Sequence, residues 1–164
     1  MELKDLLPGI IGSFVGVMGW LVVGIYIQRR QFRAQARNAA KAVYFELDVN
    51  RVALSVASDL GSFTALNRSA FERLLPELAT LLPAPELKAV VDAYMAHAGY
   101  QQMADADDMP AAVRRSALVE IRGLHERALE MLARRAFSAK EAALIRASTD
   151  EATRRGEELR RLAS

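Results

Sequence analysis

The sequence predicts an all-α protein: one N-terminal transmembrane helix continuing into a long helix, followed by a small helical bundle, four to five helices in total. Three observations carry this expectation. Residues 6 to 28, LLPGIIGSFVGVMGWLVVGIYIQ, contain no charged side chain. The remainder repeats apolar residues at three and four, the period of an amphipathic helix, with no convincing strand alternation. Proline, glycine and Ser-x-x-Glu signals punctuate that remainder at helix-length intervals.

A helix over 6 to 28 is roughly 35 Å long at about 1.5 Å per residue, enough for a bilayer core of about 30 Å. A cleaved signal peptide fits less well. Its leading region MELKD carries Glu2, Lys4 and Asp5 and is net acidic in its side chains. The one A-x-A match, Ala34 to Ala36, is separated from the apolar run by Arg29, Arg30 and Arg33. A buried water-soluble helix fits poorly too, because no face of the run is polar. The expected division is a short extracytoplasmic N-terminus (1–5), the span (6–28), a juxtamembrane helix (29–60) and a soluble bundle (61–164).

Arg29, Arg30, Arg33, Arg37 and Lys41 follow the run, with no acid before Glu46, whereas only Lys4 and the terminal amine precede it. The positive-inside rule then sets the N-terminus outside and the bundle in the cytoplasm. The same basic flank suits anionic lipid headgroups, but an ordinary inside-positive flank looks no different. Tyr26 sits where an interfacial aromatic belongs, beside the arginines; Trp20 lies deeper. Gly9, Gly12, Gly16 and Gly19 share one helix face, and Gly12 and Gly16 form a GxxxG. Such a face admits a second helix at close range, as a helix-association surface. The richness in Ala, Arg and Leu favours helix and suits a GC-rich bacterium, hence a bacterial inner membrane.

No glycine or proline occurs from Ile25 to Leu60, so the span is expected to run on as one helix. Two apolar rows follow it: Val43, Leu47, Asn50, Leu54 and Ala57, and Phe45, Val49, Val52 and Val56. Together they suggest one wide bundle-facing surface. Asn50 invites comparison with the register-fixing Asn of coiled coils, but reads better as an edge residue. Gly61 caps the helix end. Ser69 and Glu72 match a capping box opening a second helix, with Phe71, Leu74, Leu75 and Leu78 inward and a kink or split at Pro76. Pro85 opens a third helix to about Asp105, with Leu87, Val90, Val91, Tyr94, Met95 and Ala98 inward. A fourth runs from about Met109 to Arg135 on Leu118, Ile121, Leu124, Ala128, Leu129 and Leu132. Ser138 and Glu141 open a fifth, whose row of Ala142, Ile145, Thr149, Ala152, Gly156, Leu159 and Ala163 is mostly small. Its Arg154, Arg155, Arg160 and Arg161 interleave with Glu151, Glu157 and Glu158 as a salt-bridged surface.

Chemistry is hard to find. With no cysteine, disulfides, thiolate metal sites and cysteine catalysis are excluded. The net charge of +2 is too small to argue for nucleic acid, and Arg114-Arg115 and Arg134-Arg135 lack the context of a nucleic-acid site. No Walker, Rossmann, GxSxG or HExxH pattern occurs. His97 reads as a packed or edge histidine, and His125 beside Glu126 as helix surface. Asp105, Asp107 and Asp108 lack the glycine and distal glutamate of a calcium loop and fit helix capping better. No catalytic, metal or cofactor site and no small-molecule substrate is expected.

The expected function is a non-enzymatic, membrane-anchored adaptor, scaffold or regulatory subunit, with membrane lipid and either a second copy or another membrane protein as partners. Two alternatives stand beside it: an effector whose spans assemble into a pore, which has only Ser13 to line water, and a periplasm-facing envelope protein, which the basic flank opposes.

Overall fold

A computed structural model describes residues 3–106, 108–145, 147 and 148, with side chains from Phe14 onward. Every regular element among them is helical: α1 (Leu3–Leu60), α2 (Ser69–Leu81), α3 (Ala84–Asp105), α4 (Ala111–Ala136) and a fifth helical segment, α5, over 139–145 and 147–148. No strand occurs among the described residues. The chain divides into two compact units, Met1–Gln35 and Ala36–Ser164.

The first unit is the leading part of α1. From Phe14 to Ile27 its large apolar side chains are exposed at every turn, among them Phe14, Val15, Trp20, Val22 and Val23. Among the described residues no helix is long and apolar enough to cross a membrane. The expected transmembrane helix at 6–28 is thus not supported; of residues 6–13, Gly9 and Gly12 among them, the backbone alone is described.

The second unit is a bundle. The later part of α1 buries Ala36, Ala39, Ala40, Val43, Leu47, Asn50, Leu54 and Ala57. That is the first of the two expected rows. The second row is not part of the bundle: Phe45, Val49 and Val52 are 51%, 57% and 57% exposed. Geometry explains the correction. Members of the two rows two positions apart, such as Val43 and Phe45, diverge by about 200° around a helix of 3.6 residues per turn, so the rows face opposite ways. Helix α1 ends as expected, with Gly61 at φ +67° donating its N–H to the Ala57 carbonyl at 3.0 Å. A left-handed cap of this kind favours glycine.

Helix α2 runs unbroken through Pro76, so the expected kink or split is absent. Pro76 and Glu72 both lie on the exposed side, so the carbonyl left without its donor is open to water. Pro83 and Pro85 open α3, whose first N–H groups, from Glu86 and Leu87, reach the Pro83 carbonyl. The buried face of α3 is Val90, Ala93, Tyr94, His97, Tyr100 and Met103. Met95, expected inside, is 70% exposed, and Ala98 is exposed as well. Here the inward stripe includes a small residue and three polar ones, so a reading by apolar spacing alone rotates it. Helix α4 buries Leu118, Ile121, His125, Ala128, Leu129, Leu132 and Ala136 and packs along α3.

Two apolar clusters form the core. One gathers Val43, Leu47, Phe71, Leu78, Val90, Tyr94, Ala128 and Leu132; the other gathers Leu54, Ala57, Tyr100, Met103, Leu118 and Ile121. On each long helix one buried polar residue separates the two: Asn50 on α1, His97 on α3 and His125 on α4.

Asn50 is 1% exposed, not the edge residue expected. Its Nδ2 donates to the Asn67 carbonyl at 2.7 Å, and its Oδ1 accepts from the Asn67 N–H at 2.8 Å. The side chain thus pairs with a backbone amide as a neighbouring strand would, and it holds the 61–68 connection against α1. The same connection is fixed by Thr64, whose N–H donates to the Tyr100 hydroxyl at 3.2 Å, and by Phe63, which packs on the Tyr100 ring. Replacing Asn50 with Ala leaves both Asn67 groups without their partner. Asn50→Ala is expected to cost about 2 to 4 kcal/mol in urea unfolding; a loss under about 0.5 kcal/mol contradicts the pairing.

Candidate functional site

Glu46 is the most heavily used polar side chain of the bundle. Its Oε2 accepts from the Ala70 N–H at 2.7 Å and from the Ser69 hydroxyl at 3.2 Å. Its Oε1 accepts from the Phe71 N–H at 3.2 Å and from the Tyr94 hydroxyl at 2.7 Å. The carboxylate therefore occupies the start of α2, where free N–H groups and the helix dipole favour a negative charge. This replaces the capping box expected at Ser69 and Glu72. Arg68 occupies the cap position with no side-chain cap bond, and Glu72 instead pairs with Arg68. Burial and the Glu46 carboxylate together push the Tyr94 phenol well above its ordinary range, so it stays a donor. Phe71 stacks on the Tyr94 ring at 4.1 Å between centroids, which closes the site.

Next to it lies the histidine pair. His97 Nε2 and His125 Nε2 are 3.1 Å apart, with the rings nearly parallel. The protons can be assigned from the partners. His125 Nδ1 lies 3.0 Å from the Ile121 carbonyl, which can only accept, so Nδ1 carries the proton. The lone pair is then on His125 Nε2, and His97 Nε2 donates to it. His97 Nδ1 is left as a buried acceptor without a partner among the described residues. Burial, then His125 and Arg68, hold the His97 imidazole down to about 4. Burial lowers His125 as well, against the opposing pull of the Ile121 carbonyl.

His125 is fully buried, not the surface residue its neighbours Glu126 and Arg127 suggest. The signal was present in the row of Ile121, His125, Ala128 and Leu132, spaced four, three and four. The pair itself offers little chemistry. Among the described residues no three His, Asp or Glu side chains converge as a metal site. Two grooves in the bundle surface have no histidine in their lining. One, of about 500 Å³, is lined by Tyr44, Ala133, Arg134, Phe137, Ala142 and Ile145 among others. The second, of about 470 Å³, is lined by Val52, Ser55, Val56, Asp59 and Leu60.

The basic residues singled out in the sequence divide into two groups. Arg29, Arg30, Arg33 and Arg37 are exposed. Lys41 is drawn into the bundle: its Nζ lies 2.6 Å from Glu141 and 5.4 Å from the Phe137 ring centre. Lys41 and then the Ser138 groups hold the Glu141 carboxyl at about 2. Ser138 and Glu141 form the capping box the sequence predicts, with Ser138 N–H and Oγ on Glu141 Oε2 at 2.7 and 2.8 Å and the return bond from Glu141 N–H at 3.3 Å. Of the two arginine pairs, Arg114, Arg134 and Arg135 have partners within the fold. Arg114 donates to the Ala106 carbonyl at the end of α3 and lies over the Phe63 ring. Arg135 grips Glu86 through two bonds of 2.8 and 2.6 Å, and Arg134 pairs with Glu130. Of the three aspartates near the α3–α4 turn, Asp105 and Asp108 are exposed and Asp107 lies outside the described residues. The salt-bridged surface expected after residue 149 lies outside them too.

No family model, curated protein or solved structure matches this chain.

Two outcomes follow from this geometry. Glu46→Gln keeps the size of the side chain but turns an amide donor toward donors, so it is expected to destabilise the bundle by about 2 to 4 kcal/mol; stability within about 0.5 kcal/mol of the parent contradicts the capping role. The histidines are held neutral, with folded pKa values below the unfolded value of about 6.5. Their contribution is therefore complete above that pH and is lost as pH falls from about 6.5 toward 4. The melting temperature is expected to fall by about 5 °C or more between pH 7.5 and 5. The drop should shrink in His97→Gln, and an equal drop in that variant refutes the assignment.

Proposed function

We propose that this chain is a single-pass, membrane-anchored adaptor, scaffold or regulatory subunit, non-enzymatic and self-associating, of a bacterial inner membrane. One observation carries the reading. The uncharged run of 6–28 is apolar on all sides, and its described side chains from Phe14 to Ile27 are exposed. A helix apolar all round needs an apolar solvent or a packed core, and the first unit provides no core. The exposed Arg29, Arg30, Arg33 and Arg37 directly after it support a cytoplasmic bundle. The glycine face supports a helical partner. A β-carbon added at Gly16 or Gly19 meets nothing within 4 Å, so substitution there acts on a partner helix and not on the chain's own packing.

Topology is the first test. Ser164→Cys places the only thiol at the end of the chain. It is expected to resist a membrane-impermeant maleimide in intact cells and to label once they are broken open. Labelling of intact cells overturns the orientation. Gly16→Ile with Gly19→Ile is expected to reduce crosslinked oligomer in membranes by about tenfold, the equivalent of about 1.4 kcal/mol; unchanged oligomer removes the glycine face from the proposal.

A further inference from the structure

We infer that Tyr26, Arg29, Arg30 and Arg33 form a face that binds the phosphate headgroups of anionic membrane lipid. The inference deepens the proposed function and rests on its anchor reading. All four residues lie in the first unit, on the unbroken helix α1, and all four are exposed. Measured around the helix axis from Arg29, Arg33 stands at about 40°, Tyr26 at about 60° and Arg30 at about 100°. They therefore share one side of the helix.

An inside-positive flank needs only positive charge, on any side of a helix and from lysine as well as arginine. This turn has more. Its cations are all arginine, whose planar fork meets two phosphate oxygens at once. The Tyr26 hydroxyl, on the same side, can donate a further bond to such an oxygen. Among the described residues Arg29, Arg30 and Arg33 enter no ion pair, whereas Lys41, two turns further on, is bound to Glu141.

Dimensions select lipid. The arginine turn rises about 6 Å from Arg29 to Arg33, at about 1.5 Å per residue. The headgroup layer on each side of a bilayer core is about 5 to 8 Å thick. Directly before the turn, the side chains from Phe14 to Ile27 are apolar and exposed. A bilayer supplies an apolar layer and then an anionic one, in that order and on that scale. An acidic protein or a nucleic acid matches the arginines but leaves the adjoining apolar side chains in water.

Trp20 is the chain's one tryptophan and reports the lipid beside this helix. The full chain is reconstituted in vesicles of phosphatidylcholine and phosphatidylglycerol in equal parts, with bromine on the acyl chains of one lipid or the other. Quenching of Trp20 is expected to show about a fivefold preference for phosphatidylglycerol, the equivalent of about 1 kcal/mol. The ratio between the two lipids cancels any change in depth. The preference should vanish in Arg29→Gln with Arg30→Gln and Arg33→Gln, and persist in Arg73→Gln, an exposed arginine of α2. Quenching without preference, or a preference that survives the triple substitution or is lost equally in Arg73→Gln, overturns the headgroup face and leaves the anchor standing. Absence of quenching, in chain that still floats with phosphatidylglycerol vesicles until the three arginines are replaced, defeats the anchor and leaves the face standing. A preference abolished by inorganic phosphate but not by chloride of equal ionic strength assigns the face to free phosphate. Retention on polyglutamate in place of lipid assigns it to an acidic protein; either result overturns the lipid.

Discussion

The bundle depends on one buried constraint: a carboxylate on α1 must meet four donors at once. Glu46 satisfies the first N–H groups of α2, the Ser69 hydroxyl and the Tyr94 hydroxyl on α3. A half-buried carboxylate with these partners missing is costly, whereas a fully bonded one fixes position. It sets where α2 begins, which way Tyr94 turns and how Phe71 stacks. One turn further along, Asn50 does the same for the connection before α2 by pairing with both groups of Asn67. Helix α1 therefore acts as the template on which the following chain is registered. Apolar packing alone, which has no direction, would leave that register loose.

The histidine pair extends this logic to α3 and α4. Those helices carry most of the packing between elements, and their shared face is interrupted by two imidazoles that bond to each other. Burial disfavours a charge on either ring. The pair ties the register of α3 against α4 to the protonation of a group in the core. His97 Nδ1, in this layer, is a buried acceptor without a partner among the described residues.

The surface of the bundle is as informative as its interior. Charges that could have formed a basic patch are mostly spent within the fold, at Lys41 with Glu141, Arg135 with Glu86 and Arg134 with Glu130. The arginines at 29, 30, 33 and 37 stay exposed, and so does the apolar row from Phe45 to Val52. These exposed residues are apolar and basic, and many of the polar contacts described lie between elements of the bundle. That balance is what the adaptor reading draws on.

The sequence by itself determined the all-helical class, a range of four to five helices, the cap at Gly61 and the capping box at Ser138. All of these follow from local backbone preference and helical period, which act within a few residues. It also placed the row of Val43 to Ala57 inside, because that row is mostly apolar. What only the tertiary structure decided was the role of the polar residues and the phase of the weaker faces. Glu46 gave no sign of being a cap, since it lies more than twenty positions from the helix it caps. His125 looked like surface because its neighbours are charged, and Met95 looked buried because it is apolar. The second row on α1 satisfied the same pattern rule as the first. Periodicity finds an apolar face but cannot say what covers it; that depends on partners distant in sequence, and Phe45, Val49 and Val52 stay more than half exposed although Phe137 reaches the edge of Phe45.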